Sequence, residues 1–141
     1  MFTYVTLGVN DFEGALHFYD QILAALGWSR CDPDAPPGWA GWGVYEDDGR
    51  RETALWICRP FDGRPATAGN GTMVALAAAT RGQVEVFHRR ALAAGGRSEG
   101  APALRPHYGP DFFAAYVRDP DGNKLAAVCR APTLQAPIWP H

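Results

Sequence analysis

The sequence predicts an α+β protein built from two consecutive copies of a βαβββ module. Three observations lead to this fold class. The chain repeats itself, each copy begins with a strand signal that runs into an amphipathic helix, and several short strand signals follow each helix. Because turns rather than helices connect these later strands, an all-parallel sheet is excluded and antiparallel hairpins are expected.

The repeat appears when the sequence is shifted by about 69 residues, which places Tyr4–Ser29 over Met73–Ser98 without a gap. Identical residues then coincide at Val5 and Val74, Leu7 and Leu76, Phe18 and Phe87, Leu23 and Leu92, Gly27 and Gly96, and Ser29 and Ser98. We expect a single domain over residues 1–130, with module one at about 1–62 and module two at about 70–130. Residues 131–141, which are rich in proline, form a predicted C-terminal tail.

Module one opens with a predicted strand over Tyr4–Val9 and a helix whose N-cap is Asn10, with Glu13 three residues later as in a capping box. Apolar residues then recur at helical spacing, and Gly27 ends the helix. The expected buried stripe consists of Phe12, Ala15, Leu16, Tyr19, Ile22, Leu23 and Leu26.

Module two follows the same plan, with a predicted strand over Met73–Ala79 and a second capping box formed by Thr80 and Gln83. Gly95–Gly96 ends its helix. The expected stripe consists of Val84, Phe87, Ala91 and Leu92.

Shorter apolar or β-branched segments predict the remaining strands: Trp28–Cys31, Gly41–Glu46, Thr53–Cys58, Arg97–Ser98, Phe112–Arg118 and Lys124–Arg130. Asp119–Gly122 reads Asp-Pro-Asp-Gly and predicts the turn of the last hairpin. Loops are expected over 33–38, 60–71 and 101–110, and the middle one links the two modules.

Composition excludes several classes of function. The formal charge is −2 and no basic run exists, so neither a nucleic acid nor an anionic membrane is an expected partner. No apolar run has the length of a membrane span, and no signal peptide is visible. The three widely spaced cysteines indicate reduced thiols, and we therefore expect a cytoplasmic protein.

Two motifs resemble those of the vicinal oxygen chelate superfamily, which includes glyoxalase I, bleomycin-resistance proteins and extradiol dioxygenases. The first is Leu7–Phe12 running into Phe18-Tyr19, and the second is Val117–Asn123. The resemblance covers about residues 1–130. It implies that the modules form curled mixed sheets around a cavity, and that two chains form a homodimer.

The resemblance also implies where a metal would bind, at up to four His or Glu ligands on the strands that line the cavity. The corresponding residues here are Tyr4, Trp56, Met73 and Ala126, which offer neither a carboxylate nor an imidazole. The four histidines, His17, His88, His107 and His141, lack the spacing of a compact ligand set. We therefore expect no metal ligands and no cofactor, which argues against glyoxalase or dioxygenase chemistry.

Replacement of ligands by Tyr4, Trp56, Met73 and Ala126 predicts an apolar cavity suited to a planar or hydrophobic organic ligand. The alternative is that these residues fill the cavity as core. Trp42 is predicted either as a wall of the pocket or as a dimer contact.

The loop before the last hairpin carries Arg105, His107 and Tyr108. Imidazole suits proton transfer near neutral pH, so His107 is the predicted acid–base residue. Tyr108 would orient a substrate, and Arg105 would pair with a carboxylate or phosphate. The alternative is that His107 merely shapes the loop by bonding to its backbone, and the sequence does not separate the two.

These observations favour a metal-independent protein that binds or sequesters an unknown small organic molecule in an aromatic cavity, with modest acid–base chemistry as an option. Bleomycin-resistance relatives, which bind a drug without altering it, set the precedent. The competing hypotheses are a metal-dependent lyase, thiol transferase or dioxygenase, and a dimeric scaffold with a filled cavity.

Overall fold

The computed structural model of the chain describes residues 1–132. Within that part, each module folds around one helix and one sheet, and no helix is long and apolar enough to cross a membrane. Residues 133–141 of the predicted tail, His141 among them, lie outside the described residues.

Module one contains one helix and a mixed sheet of three strands, which we call sheet one. Its elements are β1 (Tyr4–Gly8), α1 (Phe12–Ala24), β2 (Trp39–Glu46) and β3 (Arg51–Cys58). The strand order is β1-β3-β2, with β1 parallel and β2 antiparallel to β3. The outer strand β1 therefore leaves one of its edges without a neighbour in this sheet.

Module two repeats this plan with one additional strand, and its four strands form sheet two. Its elements are β4 (Met73–Ala77), α2 (Arg81–Ala93), β5 (Arg97–Leu104), β6 (Phe113–Arg118) and β7 (Lys124–Cys129). The order is β4-β7-β6-β5, with β4 parallel to β7 and the other pairs antiparallel. The α+β class and the two βαβββ-like modules with mixed sheets are confirmed.

The predicted strand over Trp28–Cys31 is wrong. That segment forms one isolated bridge, between Arg30 and Trp42, and Pro33 soon follows. Proline lacks a backbone N–H and disfavours further pairing. In module two the corresponding strand is longer than the predicted Arg97–Ser98 and occupies part of the predicted loop. As the outer strand of its sheet, β5 accommodates Pro102 next to shifts in register.

The helix caps were predicted correctly in one module only. Thr80 caps α2, since its Oγ1 accepts a hydrogen bond from the Gln83 N–H at 3.1 Å. The N-cap of α1 is Asp11 rather than the predicted Asn10, and its carboxylate accepts from the Gly14 N–H at 3.1 Å. Asn10 has a different role, described below.

The hydrophobic core contains residues from both modules. The helices bury Ala15, Phe18, Tyr19, Ile22, Leu23, Val84, Phe87 and Ala91. Gly96 marks a direct contact between the modules, because a Cβ there would lie 2.8 Å from a ring atom of Phe18. Leu92 was predicted in the buried stripe but remains 43% exposed, so the apolar stripe of α2 is narrower than expected.

Side chains along β6 point alternately to the two faces of sheet two, and only one of these faces is covered by the core. Ala115 and Val117 are fully buried in the core, so Tyr116 points to the opposite face of sheet two. The candidate site lies on that second face.

Candidate ligand-binding site

The larger of the two main cavities, which we call the sheet-two cavity, has a volume of about 650 Å³ and is bordered by sheet two and the loop before β6. Its lining consists of Met73, Glu99, Gly100, Arg105, His107, Tyr108, Phe112, Tyr116, Lys124 and Arg130. The predicted residues Met73, Arg105, His107 and Tyr108 therefore lie together. The other six lining residues were not predicted from the sequence.

Tyr116 is central to this cavity because two cations approach its ring. The guanidinium carbon of Arg105 lies 5.5 Å from the ring centroid, and the ammonium nitrogen of Lys124 lies 5.6 Å from it. Gly100, on the neighbouring strand, provides the space: a Cβ there would be 2.9 Å from Tyr116 Cδ2 and 3.1 Å from Arg105 Nη2. Glycine at this position lets both side chains lie across β5.

Arg105 is held by its backbone and by part of its guanidinium. Its N–H donates to the Phe112 carbonyl at 2.7 Å, and its Nη2 donates to the Ala101 carbonyl at 2.6 Å. Its Nε is buried and has no acceptor among the described residues. This guanidinium thus keeps an unused hydrogen-bond donor and an unpaired charge.

The loop between β5 and β6 brings the predicted acid–base residues to the cavity. Pro106–Tyr108 form one 3₁₀ turn, closed by the Tyr108 N–H donating to the Arg105 carbonyl at 2.9 Å. The rings of His107 and Tyr108 are 4.0 Å apart, and Tyr108 is 62% exposed. Within residues 1–132 the His107 ring makes no hydrogen bond to the loop, whose shape comes from backbone hydrogen bonds.

Charge in the cavity is unbalanced. Among the described residues of the lining, Arg105, Lys124 and Arg130 are cations, and Glu99 is the only carboxylate. Glu99 already forms an ion pair with Arg118, 2.7 Å from Oε1 to Nε. The hydrogen bond from Arg118 and the charges of Arg118, Lys124 and Arg97 lower the pKa of Glu99, so this carboxylate is ionised at neutral pH.

A second cavity of about 470 Å³, the edge-strand cavity, lies between the outer strands β1 and β4 and is mainly apolar. Tyr4 and Met73, which are 56% and 42% exposed, line it. Trp42 also borders it but is only 2% exposed, because it packs on Tyr19 and donates from Nε1 to the Asp20 carboxylate at 3.0 Å. Trp42 is therefore chiefly a core residue.

The remaining predicted ligand-binding residues, Trp56 and Ala126, line neither of these two cavities. Trp56 covers Gly41, packs edge-on against Tyr45 at 5.7 Å, and donates from Nε1 to Glu52 at 2.9 Å. Ala126 is fully buried between Ala75 and Tyr116 in the sheet register. On sheet one, Trp56 thus forms part of the packed structure.

The four positions that the resemblance assigns to metal ligands do not fit a metal ion. Tyr4, Trp56, Met73 and Ala126 lack carboxylate and imidazole donors, and the Trp56 indole N–H is already bound to Glu52. Across residues 1–132, no three His, Cys, Asp or Glu side chains come close enough to form another set of ligands.

The two sequence motifs meet at a hydrogen-bond cluster between the modules. Asp119, which is 2% exposed, accepts from the Tyr19 hydroxyl and from the Asn123 backbone and side-chain N–H groups. The Asn123 amide also donates to the Gly8 carbonyl at 3.0 Å. Burial, and then the charge of Asp119, raise the pKa of Tyr19 well above its usual value, so Tyr19 remains a neutral donor.

Asn10 extends this cluster rather than capping α1. Its backbone and side-chain N–H groups both donate to Asp121 at 3.0 Å, and its side-chain oxygen accepts from the Ala66 N–H at 2.7 Å. The motifs therefore join module one, the linker and the last hairpin. Their role in this chain is structural, outside both cavities.

A family model, the Glyoxalase/Bleomycin resistance protein/Dioxygenase superfamily, matches residues 2–127. The chain belongs to this superfamily. Among solved structures, this member is similar to a glyoxalase/bleomycin resistance protein from Albidiferax ferrireducens T118. The identity is 36% and the TM-score 0.77, with 92% of this chain and 98% of that chain covered.

Two further structures show the range of the superfamily. A glyoxalase-related enzyme from Fulvimarina pelagi shares 24% identity at a TM-score of 0.66, covering 92% of this chain and 87% of that chain, and this likeness concerns the fold alone. A glyoxalase I mutant from Zea mays shares 25% identity at a TM-score of 0.64, covering 90% of this chain but 45% of the maize chain. No curated protein matches the sequence. Membership in the superfamily establishes the fold and leaves the reaction open.

Proposed function

We propose that this superfamily member binds a small organic molecule in the sheet-two cavity and does so without a metal ion. The observation that carries the proposal is the composition of the cavity wall. Tyr108, Phe112 and Tyr116 offer aromatic surface, and Arg105 and Lys124 offer polar anchors. Ligand sites commonly combine apolar surface with a few polar groups in this way. Within residues 1–132, the lining contains one imidazole and one carboxylate, and Arg118 holds the carboxylate in an ion pair.

We further propose that His107 supplies acid–base chemistry if the bound molecule reacts. Its ring borders the cavity and lies 4.0 Å from the ring of Tyr108, which would orient the substrate. Since no hydrogen bond within residues 1–132 engages the His107 ring, both of its nitrogens are available to a ligand. Once a substrate is known, His107→Ala should lower turnover by about a hundredfold or more, with little change in unfolding temperature.

The binding proposal is tested on untagged protein by metal analysis and by a thermal-shift screen of divalent ions and small organic molecules. We expect organic hits and no stabilising ion. Tyr108→Ala should weaken a hit by up to about tenfold, because an aromatic pair contributes about 0.5–1.5 kcal/mol beyond its buried area. Phe61→Ala removes an even more exposed aromatic ring outside the cavity and should leave binding unchanged.

A metal ion bound stoichiometrically, with a raised unfolding temperature, would contradict metal independence. It would favour the competing metal-dependent lyase, thiol transferase or dioxygenase. A screen in which every organic hit binds Tyr108→Ala as tightly as the wild-type chain would place the site elsewhere.

We also propose that two copies associate as a homodimer and that the protein acts in the cytoplasm. Exposed apolar side chains at the outer strands and beside them, Phe2, Tyr4, Trp28 and Met73, support the dimer. The free thiols of Cys31, Cys58 and Cys129 support a reducing compartment. Sedimentation equilibrium tests the dimer: a monomer at concentrations of about 100 μM would rule out the association proposed here.

A further inference from the structure

We propose that the molecule bound in the sheet-two cavity is an organic anion, whose carboxylate or phosphate lies between Arg105 and Lys124. This inference rests on the proposed function, because it assigns a chemical class to the ligand of the same cavity. It keeps the carboxylate or phosphate partner that the sequence predicted for Arg105, and it adds Lys124, which was not predicted.

Positive charge is in excess around the sheet-two cavity. The whole chain carries a formal charge of −2, yet Arg105, Lys124 and Arg130 face this one cavity. Glu99 cannot neutralise all three, because its carboxylate is already paired with Arg118 at 2.7 Å. Among residues 1–132, none of the three cavity cations forms an ion pair. Such a concentration of one charge in a concave site attracts ligands of the opposite charge.

The guanidinium of Arg105 has no counter-charge among residues 1–132. Its side chain is half-buried, its Nε is buried without an acceptor, and its bonded partners are a neutral carbonyl and an aromatic ring. Placing a charge partly out of water without a counter-charge is costly. A bound anion would supply the missing charge and would accept hydrogen bonds from a guanidinium that is already oriented.

Lys124 reaches the same cavity from a different part of the sheet. It begins β7, pairs across the sheet with Met73 and Arg118, and brings its ammonium to the Tyr116 ring that Arg105 also approaches. Like charges opposite each other in a sheet are unfavourable. Glu99 relieves this for Arg118, whereas Lys124 remains directed at the cavity. Two strands and one loop end thus converge to form an anion site.

Four matched probes test the proposal by NMR titration of the full-length protein at constant ionic strength: benzoate, phenyl phosphate, benzamide and benzylamine. The first two are anionic, benzamide is a neutral analogue of benzoate, and benzylamine is cationic. We expect at least one anion to bind at least about tenfold tighter than benzamide, as for hydrogen bonds between charged groups. The better of the two anions then distinguishes a carboxylate site from a phosphate site.

Substitutions of Arg105 and Lys124 test whether these two residues cause the preference for anions. Arg105→Gln and Lys124→Gln should each reduce affinity for the preferred anion by about tenfold while changing benzamide affinity by less than about twofold. Arg105→Lys keeps the charge and should retain most of the preference for the anion. It therefore distinguishes loss of the charge in Arg105→Gln from loss of folding. Arg89→Gln removes an exposed arginine on α2, outside the cavity, and should change nothing.

The outcomes separate this inference from the proposed function. If benzamide or benzylamine binds in the cavity as tightly as the anions do, the cavity binds organic molecules but the anion site is wrong. Anion binding that is unaffected by Arg105→Gln and Lys124→Gln overturns the inference in the same way. If none of the four probes shifts the resonances of the cavity residues up to its solubility limit, both proposals fall.

Discussion

The two sheets differ on the face that points away from the core, although the modules share one plan. In sheet one the small residue is on β2 and the large one on β3, where Gly41 lies opposite Trp56. Sheet two reverses the sizes: the large residue, Tyr116, is on β6 and lies opposite the small Ala126 on β7. Trp56 folds across its glycine and is 9% exposed, whereas Tyr116 leans over Gly100 of the additional strand.

The two aromatic side chains therefore have different surroundings: Trp56 is packed onto sheet one, and Tyr116 borders a cavity on sheet two. In sheet one the indole covers Gly41 on the strand beside it and is fixed by Glu52 and Tyr45, and Trp56 lines neither of the two main cavities. In sheet two the phenol lies toward Gly100 of the outer strand β5, and its neighbours on β7 and β4 are the small Ala126 and Ala75. Tyr116 therefore borders the sheet-two cavity, whereas Trp56 packs onto its own sheet.

The largest expected effect comes from opening the closed module. Trp56→Ala gives sheet one the residue that sheet two has at position 126. It should lower the free energy of unfolding by about 3 kcal/mol, because a large aromatic side chain is removed from a packed site. Urea unfolding followed by circular dichroism measures the change.

Trp39→Ala provides the control for Trp56→Ala, since Trp39 is 42% exposed on the same sheet and its loss should cost less than about 1 kcal/mol. Equal effects of the two substitutions would mean that Trp56 does not close sheet one in the way described.

A smaller effect is expected from substitution of the two glycines against which aromatic rings pack. In Gly41→Ala the new Cβ would lie 2.6 Å from the Trp56 ring, which Glu52 and Tyr45 hold in place, and stability should fall by about 2 kcal/mol. In Gly100→Ala the Cβ would be 2.9 Å from Tyr116, whose ring can move into the open cavity, so the cost should stay below about 1 kcal/mol. Thermal unfolding of both variants provides the measurement.

The order of these two glycine variants is the critical result. If Gly100→Ala were the more damaging, Tyr116 would be as tightly held as Trp56, and the contrast between a closed and an open sheet would be incorrect. Gly100→Ala should also displace the Arg105 guanidinium, so it should weaken anion binding, whereas Gly41→Ala should not.

The smallest effect concerns charge pairs, one in each module. In module one, burial opposes ionisation of Asp20, but hydrogen bonds from Arg30 and Trp42 outweigh it and lower the pKa of Asp20. In module two, the hydrogen bond from Arg118 lowers the pKa of Glu99. A carboxyl group whose pKa is lower in the folded state stabilises the fold above its unfolded pKa, and this contribution disappears as the pH falls through the folded value.

We therefore expect Asp20→Asn and Glu99→Gln to lower the unfolding temperature at pH 7, and both differences from the wild-type chain to shrink below a pH of about 4. The change for the exposed Glu99 should be about 1–2 °C, and that for Asp20, which also holds Trp42, should be larger. A difference that persists unchanged at low pH would show that the charge pairs are not its source.

Much of the fold followed from local patterns. The strand signals, apart from Trp28–Cys31, lie within two residues of the observed ends at most positions, and Thr80 with Gln83 marks the start of α2. At the start of α1, Asn10 and Asp11 are both suitable caps, and the pattern selected the wrong one. Asn10 is engaged by Asp121, which is 111 residues away in the chain, and no local signal contains that partner.

The sequence alone was enough to predict the repeated module, the place of each helix, and the lack of metal donors at Tyr4, Trp56, Met73 and Ala126. It also singled out Arg105, His107 and Tyr108, because such residues in a proline-containing loop are chemically conspicuous. Tertiary structure alone decided that these residues meet Tyr116 and Lys124, and that Trp56 closes its own sheet. Alternation along a strand divides residues between two faces, but only the packing of the helices decides which face is covered and which remains open to a ligand.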